Sequence, residues 1–292
     1  MAILQIRRVL LPTDLSESAD RALKQAVELA AQHRATLDIF HVATLEHVDP
    51  SEVQPAFDAF MAKVEKEVFE DLATRSETIR TRGIAVETAI VRRPYPVEAI
   101  LERITGTEPS LVVMGTHGRT GLRKLLLGSV AARVVLEAPC PVMTVAADAE
   151  VAEGETGFDP ILVPIDFNEL AAPSIEAAKA LSGGRGRLIL VHVVSVPEHP
   201  AVYAGGFTEV FQQHPELSTV IGNRLSELYD GPGEIVVSEG NVVGEILETA
   251  KSRKAQLVLM GTRGLERKDY LRLGSVTERV IGQAKIPVLV VK

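Results

Sequence analysis

Residues 111–130 read LVVMGTHGRTGLRKLLLGSV, and residues 257–276 read LVLMGTRGLERKDYLRLGSV. Each stretch opens on a short apolar run and breaks at Gly115-Thr116 or Gly261-Thr262. Each then reaches a second glycine, Gly118 or Gly264, and after nine further residues meets Gly-Ser-Val ahead of an apolar helical pattern. A buried strand, a glycine turn and a helix start account for that order. The same spacing occurs twice although most of the spacer residues differ. The two stretches therefore answer one geometric demand, and the chain is a tandem repeat.

The repeat extends outwards from these stretches. Val9-Leu10-Leu11-Pro12-Thr13-Asp14 returns as Ile161-Leu162-Val163-Pro164-Ile165-Asp166, and His41-Val42 returns as His192-Val193. In the first copy, strands are predicted near 6–11, 36–42, 84–91, 110–114 and 141–146. In the second they fall near 160–165, 187–193, 234–238, 256–260 and 287–291. Ala19, Ala22, Leu23, Ala26 and Ala30 give the first intervening helix one apolar face, and a long second helix is predicted near 51–82. Strands that are almost continuously apolar imply a parallel sheet with helices on both faces, so each copy is expected to be a doubly wound α/β domain. The domains are placed at 1–146 and 160–292; residues 147–159, small and acidic with no apolar period, form the expected linker.

Bulk properties exclude several classes of function. With 292 residues, 46% hydrophobic and 24% charged, the chain is globular and long enough for two cores. A formal net charge of −8 repels nucleic acid and anionic membrane surfaces, so any anion must be held locally. Apolar runs such as Leu188 to Val191 fall far short of the roughly 20 residues needed to span a bilayer. Arg7 and Arg8 precede only the short run Val9-Leu10-Leu11, which is no signal peptide, and the single cysteine, Cys140, permits no internal disulfide. A cytoplasmic location and a buried structural role for Cys140 are expected.

The chemistry lies in the glycine turns. Without a Cβ in the way, backbone N–H groups leaving a parallel strand can approach an anion closely. Gly128-Ser129 and Gly274-Ser275 then stand at helix starts, where unpaired N–H groups and the helix dipole favour negative charge. Asp14 can serve such a site or can cap the following helix, as Ser16 and Ser18 also can. His41 and His192 fall in different domains and are read as structural; His199, Tyr203 and His214 lack zinc-ligand spacing and receive no role.

The pattern G-x2-G-x9-G-S after an L-V-V-M strand, with P-x-D ending the first strand, resembles the universal stress protein family over nearly all of both copies. The resemblance implies a five-stranded parallel sheet in the order 3-2-1-4-5 per copy. It also implies ATP bound across the ends of strands one and four, with ADP and AMP as smaller ligands of the same site and Mg²⁺ accompanying the nucleotide. Carried over by position, Asp14 with Pro12 and Thr13 meets the adenine or ribose, and Val42 meets adenine through its backbone. Met114, Gly115, Thr116, Gly118, Arg119, Gly128, Ser129 and Val130 complete the set around ribose and phosphates. In copy two the same roles fall to Pro164, Ile165, Asp166, Val193, Met260, Gly261, Thr262, Gly264, Gly274, Ser275 and Val276. The chain departs from the family in its third segment, where a Gly usually precedes the Pro. Copy one has Val91-Arg92-Arg93-Pro94 there, and copy two has Glu239-Gly240. In the nine-residue spacers Arg119, Arg123 and Lys124 carry +3, whereas Arg267, Lys268 and Arg272 are offset by Glu266 and Asp269 to +1, so weaker triphosphate binding is expected in copy two.

The implied function is nucleotide-dependent regulation in the stress response, read by protein partners and needing no catalytic group. The apolar final strands, Val142 to Val145 and Val288 to Val291, are expected to pair edge to edge as an internal pseudo-dimer, and a homodimer of the whole chain is compatible with that. An ATP pyrophosphatase or adenylating ligase of similar architecture would need a Ser-Gly-Gly loop after strand one. The loops there read Thr13-Asp14-Leu15-Ser16 and Ile165-Asp166-Phe167-Asn168, and the one such cluster, Ser182-Gly183-Gly184, follows a helix. Slow ATP hydrolysis, autophosphorylation at Ser129 or Ser275, and a scaffold with vestigial pockets stand as the alternatives, without an evident general base.

Overall fold

The computed structural model describes residues 4–44, 50–116, 127–151, 157–183, 186–195, 210–262 and 273–292, with backbone alone for 50–61. The first copy supplies strands β1 (Arg8–Thr13), β2 (Thr36–Ala43), β3 (Val86–Arg92), β4 (Leu111–Gly115) and β5 (Val142–Val145). Helices α1 (Glu17–His33), α2 (Pro50–Arg80), α3 (Pro96–Thr107) and α4 (Ser129–Glu137) connect them. The second supplies β6 (Ile161–Pro164), β7 (Leu188–Ser195), β8 (Gly233–Gly240), β9 (Leu257–Gly261) and β10 (Val288–Val291). Its helices are α5 (Ala171–Leu181), the short α6 (Val210–Gln213), α7 (Pro215–Leu228), α8 (Val242–Ser252) and α9 (Ser275–Gln283).

The ten strands form one sheet in the order β3-β2-β1-β4-β5-β10-β9-β6-β7-β8, so each copy keeps the order 3-2-1-4-5. Pairing is parallel within each copy, and among the described residues one antiparallel seam joins β5 to β10 with Met143 opposite Leu289. Because the seam reverses direction, the carboxyl ends of the strands point one way in copy one and the opposite way in copy two. Each copy therefore opens its crevice at a different end of the sheet.

Alternation along the strands divides the core. Val9 and Leu11 enter one apolar layer and Leu10 the other, and both layers run without a break across the seam. Met143 and Leu289 are fully buried there. Lys292, following β10, donates through Nζ to the carbonyl oxygens of Val135 and Leu136 at the end of α4, 3.0 Å from the latter. A cation of copy two thus complements the negative end of a copy-one helix dipole. The stretch predicted as linker contributes to this core as well as connecting the copies: Phe158 is 2% exposed and packs in the same layer as Leu181 and Leu188.

Candidate functional site

The strand register opens the crevice. In copy one β1 pairs with β2 as far as Thr13 opposite His41, but with β4 only at Val9–Leu111 and Leu10–Val112. From Leu11 onwards β1 and β4 diverge, and Pro12, which has no N–H to offer a ladder, falls within the divergent part. Copy two repeats this: β6 pairs with β9 only at Ile161–Leu257 and Leu162–Val258, while its pairing with β7 continues to Pro164–Val191. Such a split at the carboxyl ends, where the strand order reverses, is the usual ligand position in an open α/β sheet.

The turn after β1 is tied locally. Thr13 Oγ1 accepts from the Leu15 N–H at 3.1 Å, and Asp14 Oδ1 accepts from the Ser16 N–H at 3.1 Å. Between them Leu15 takes φ 62°, and its counterpart Phe167 takes φ 58° with Asp166 Oδ1 accepting from Asn168 N–H at 3.4 Å. A left-handed non-glycine residue at the same place in both copies stores strain, of order 1–3 kcal/mol, beside the split in the sheet. The helix cap is Ser16, whose Oγ accepts from the Ala19 N–H, so Asp14 is not the N-cap of α1. His41 Nδ1 donates to the Thr13 carbonyl oxygen at 2.8 Å and His192 Nδ1 to that of Ile165 at 2.7 Å. A carbonyl only accepts, so in each imidazole Nδ1 carries the proton, and the ring fixes the end of the first strand against the second.

Gly115 and Gly261 end β4 and β9, and their surroundings give glycine a packing reason there. A Cβ at Gly115 would lie 2.6 Å from Ser18 Oγ and 3.0 Å from the Ser18 backbone carbon; one at Gly261 would lie 2.7 Å from Leu170 Cδ1. The start of the first helix of each copy lies against the strand end, so packing disfavours a Cβ at either position, most firmly at Gly115, where the obstacle includes backbone. Beyond the strand, the Gly128 N–H donates to the Thr116 carbonyl oxygen at 2.8 Å and the Gly274 N–H to that of Thr262 at 3.1 Å, so each nine-residue spacer leaves and returns at one point. The spacers themselves, with Gly118, Arg119, Arg123, Lys124 and Gly264, Glu266, Arg267, Lys268, Asp269 and Arg272, lie outside the described residues.

Gly128 and Gly274 are the N-caps of α4 and α9, and neither offers a side-chain cap to the first-turn N–H groups. Ser129 and Ser275 occupy the first helical position, followed by Val130 and Val276. An uncapped amino end facing a crevice is ready to receive an anion. The two ends differ in charge: the first turn of α4 has no acidic residue, whereas that of α9 carries Glu278.

In copy one these parts enclose a cavity of about 530 Å³, within the ~300–1,000 Å³ typical of small-molecule sites. Pro12, Thr13, Asp14, Val42, Met114, Gly115, Thr116, Gly128, Ser129 and Val130 all line it. Sequence reasoning missed the wall formed by Val64, Glu65 and Val68 of α2, the floor formed by Phe40 and Ile100, and Thr44 beyond β2. In copy two Pro164 ends β6 and Ile165 and Asp166 follow it, Met260 and Gly261 end β9 with Thr262 next, and Val193 lies in β7 beside His192. Phe167 packs against His192, with ring centroids 4.9 Å apart and planes tilted by 44°, and the Arg224 guanidinium lies over the Phe167 ring at 4.2 Å, which ties α7 to the end of β6.

Comparison with known proteins agrees along the whole chain. The sequence model of the universal stress protein family matches residues 5–146 and again 157–292. A universal stress protein of Mycobacterium tuberculosis is 32% identical over 214 residues, covering 72% of this chain and 70% of that protein. One from Mycolicibacterium smegmatis is 26% identical over 299 aligned residues, covering 97% of this chain and 96% of its own. The crystal structure of a universal stress protein from Archaeoglobus fulgidus has a TM-score of 0.70 at 26% identity, over 99% of both chains.

Proposed function

This chain belongs to the universal stress protein family, with one family domain in each copy, and from that premise we propose that it binds an adenine nucleotide, ATP foremost, and acts as a nucleotide-dependent regulator in the stress response. The observation that carries the reading is the convergence of ten separately placed motif residues on one cavity, at the point where β1 and β4 part. The base and sugar would occupy the apolar part between Phe40, Val68 and Met114, and the phosphates would meet the uncapped start of α4 with Mg²⁺ carried on them. Asp14, held by Ser16 N–H, presents a fixed acceptor to the nucleoside end.

The residues named here bind and orient; none is placed as a base for hydrolysis. Occupancy would work by favouring one arrangement of the crevice loops, which protein partners then read. The copy-two crevice binds the triphosphate more weakly, because its spacer carries less positive charge and Glu278 lies in the first turn of α9. Mass spectrometry of freshly purified, then denatured protein tests the reading. Co-purified ATP supports it, ADP or AMP alone points to turnover, and a protein free of nucleotide that also fails to take up added Mg-ATP contradicts it.

A further inference from the structure

We infer that Glu65 is a specificity-determining residue of the copy-one crevice, accepting a hydrogen bond from the nucleoside half of the ligand, and that Arg92 is the positioning residue that aims it. The inference rests on the nucleotide reading above.

Glu65 stands on α2 between Val64 and Val68 and lines the cavity from the side of the crossover helix. Arg92 ends β3 opposite Ala43 of β2, and its Nε donates to Glu65 Oε1 at 2.8 Å. The bond therefore spans from the sheet edge to α2 at the level of Val42 and Ala43, both of which line the same cavity. That is the end away from α4. A carboxylate beside the phosphates would repel them, whereas beside the base and sugar it is a directed acceptor.

With Oε1 engaged by the guanidinium, Oε2 accepts only from a ligand group that donates. The exocyclic amine of adenine and the ribose hydroxyls donate, whereas the carbonyl of a 6-oxopurine accepts and would face the carboxylate without a proton between them. Glu65 and Arg92 are each about one third to two fifths exposed, at 32% and 41%, so the pair adds little affinity of its own, and its effect appears as discrimination.

Copy two provides the internal control. Leu72 and Leu225 are the deeply buried anchors of α2 and α7, which places Ser218 opposite Glu65. The strand registers pair Val42 with Val91 and Val193 with Ser238, which places Glu239 opposite Arg92. Both members of the pair are thus replaced together. Glu239 Oε2 instead accepts from the Phe211 N–H of α6 at 2.9 Å. The copy-two crevice lacks this reader.

The test is competition of ATP, inosine triphosphate and 2′-deoxyATP against a fluorescent ATP analogue, on the full chain carrying Ser275→Asp to silence copy two. The expected result is a preference for ATP of about tenfold over at least one analogue, the scale set by one hydrogen bond to a charged group. Inosine triphosphate identifies the amine as the donor, and 2′-deoxyATP the hydroxyl. Glu65→Ala removes the preference, Glu65→Gln raises the relative affinity for inosine triphosphate, Arg92→Met weakens the preference, and Arg92→Lys restores part of it. Equal binding of all three nucleotides by the parent protein, or preferences unchanged in Glu65→Ala, overturns the inference. Failure of the parent to bind ATP at all overturns the nucleotide reading beneath it.

Discussion

Gly115 shows how one residue couples fold and site. Ser18 Oγ and the Thr116 N–H both donate to the Val145 carbonyl oxygen, each at 3.1 Å, so the start of α1, the end of β4 and the end of β5 meet where a Cβ on Gly115 would intrude. Gly115→Ala should therefore cost about 1–3 kcal/mol in urea denaturation, the usual range for overpacking. A second change, Ser18→Ala, should recover only part of it, because the Ser18 backbone carbon still lies 3.0 Å from the new atom; full recovery would show that the hydroxyl alone is the obstacle. Cys140 gives a second residue-scale outcome. Burial pushes its thiol up to about 11 against the pull of the Lys292 ammonium, so very little thiolate exists at neutral pH. The side chain is half-buried rather than buried as expected, and a thiol reagent at pH 7 should label the folded chain slowly and the urea-unfolded chain fast; equal rates would refute a structural role.

At the scale of elements, α3 is fastened to β2 by an ion pair that copy two does without. Asp38 is 0% exposed and accepts from Arg103 Nε at 3.0 Å and from its Nη2 at 2.8 Å. Strand register places Ile189 opposite Asp38, and the buried pairs Ile100/Ile246 and Ile104/Ala250 place Thr249 opposite Arg103. Arg103→Met leaves the buried carboxylate with only Arg8 Nη1, 3.8 Å from Oδ2, and should cost about 3 kcal/mol, whereas Asp38→Ile with Arg103→Thr, copying the other half, should cost far less. Thermal denaturation of the two variants decides; equal losses would mean that the ion pair itself holds the helix. The elements were largely legible in the sequence, because apolar runs and helical periods are local signals and the repeat checked each against its counterpart. The predicted strand 6–11 shifted to Arg8–Thr13 since β2 continues to pair with it beyond Leu11. The α2 wall of the cavity was not legible: which face of a long helix with scattered apolar residues turns to the crevice depends on where the crossover packs. Phe158, one aromatic in an acidic stretch, gave no period from which to infer its burial.

At the scale of the whole molecule, the seam turns two domains into one body. Both apolar layers cross it, with Met143 and Leu289 at its centre, so the halves are expected to unfold together. Leu289→Ala should lower stability by about 2–5 kcal/mol and move a single calorimetric transition; two resolved transitions would mean that the halves fold independently. The tandem organisation was legible from the paired motifs. The reason for Gly115 and the asymmetry between Glu65 and Ser218 needed the packed chain. The central claim is that helix starts at Gly128-Ser129 and Gly274-Ser275 hold the phosphates of ATP. Aspartate at the first helical position suits the helix dipole and repels phosphate, so it separates folding from binding. Titrating Mg-ATP into the full chain by calorimetry should give two binding events, the tighter absent in Ser129→Asp, the weaker absent in Ser275→Asp and both absent in the double variant. A Ser129→Asp protein that folds and keeps the tighter event unchanged would contradict the account.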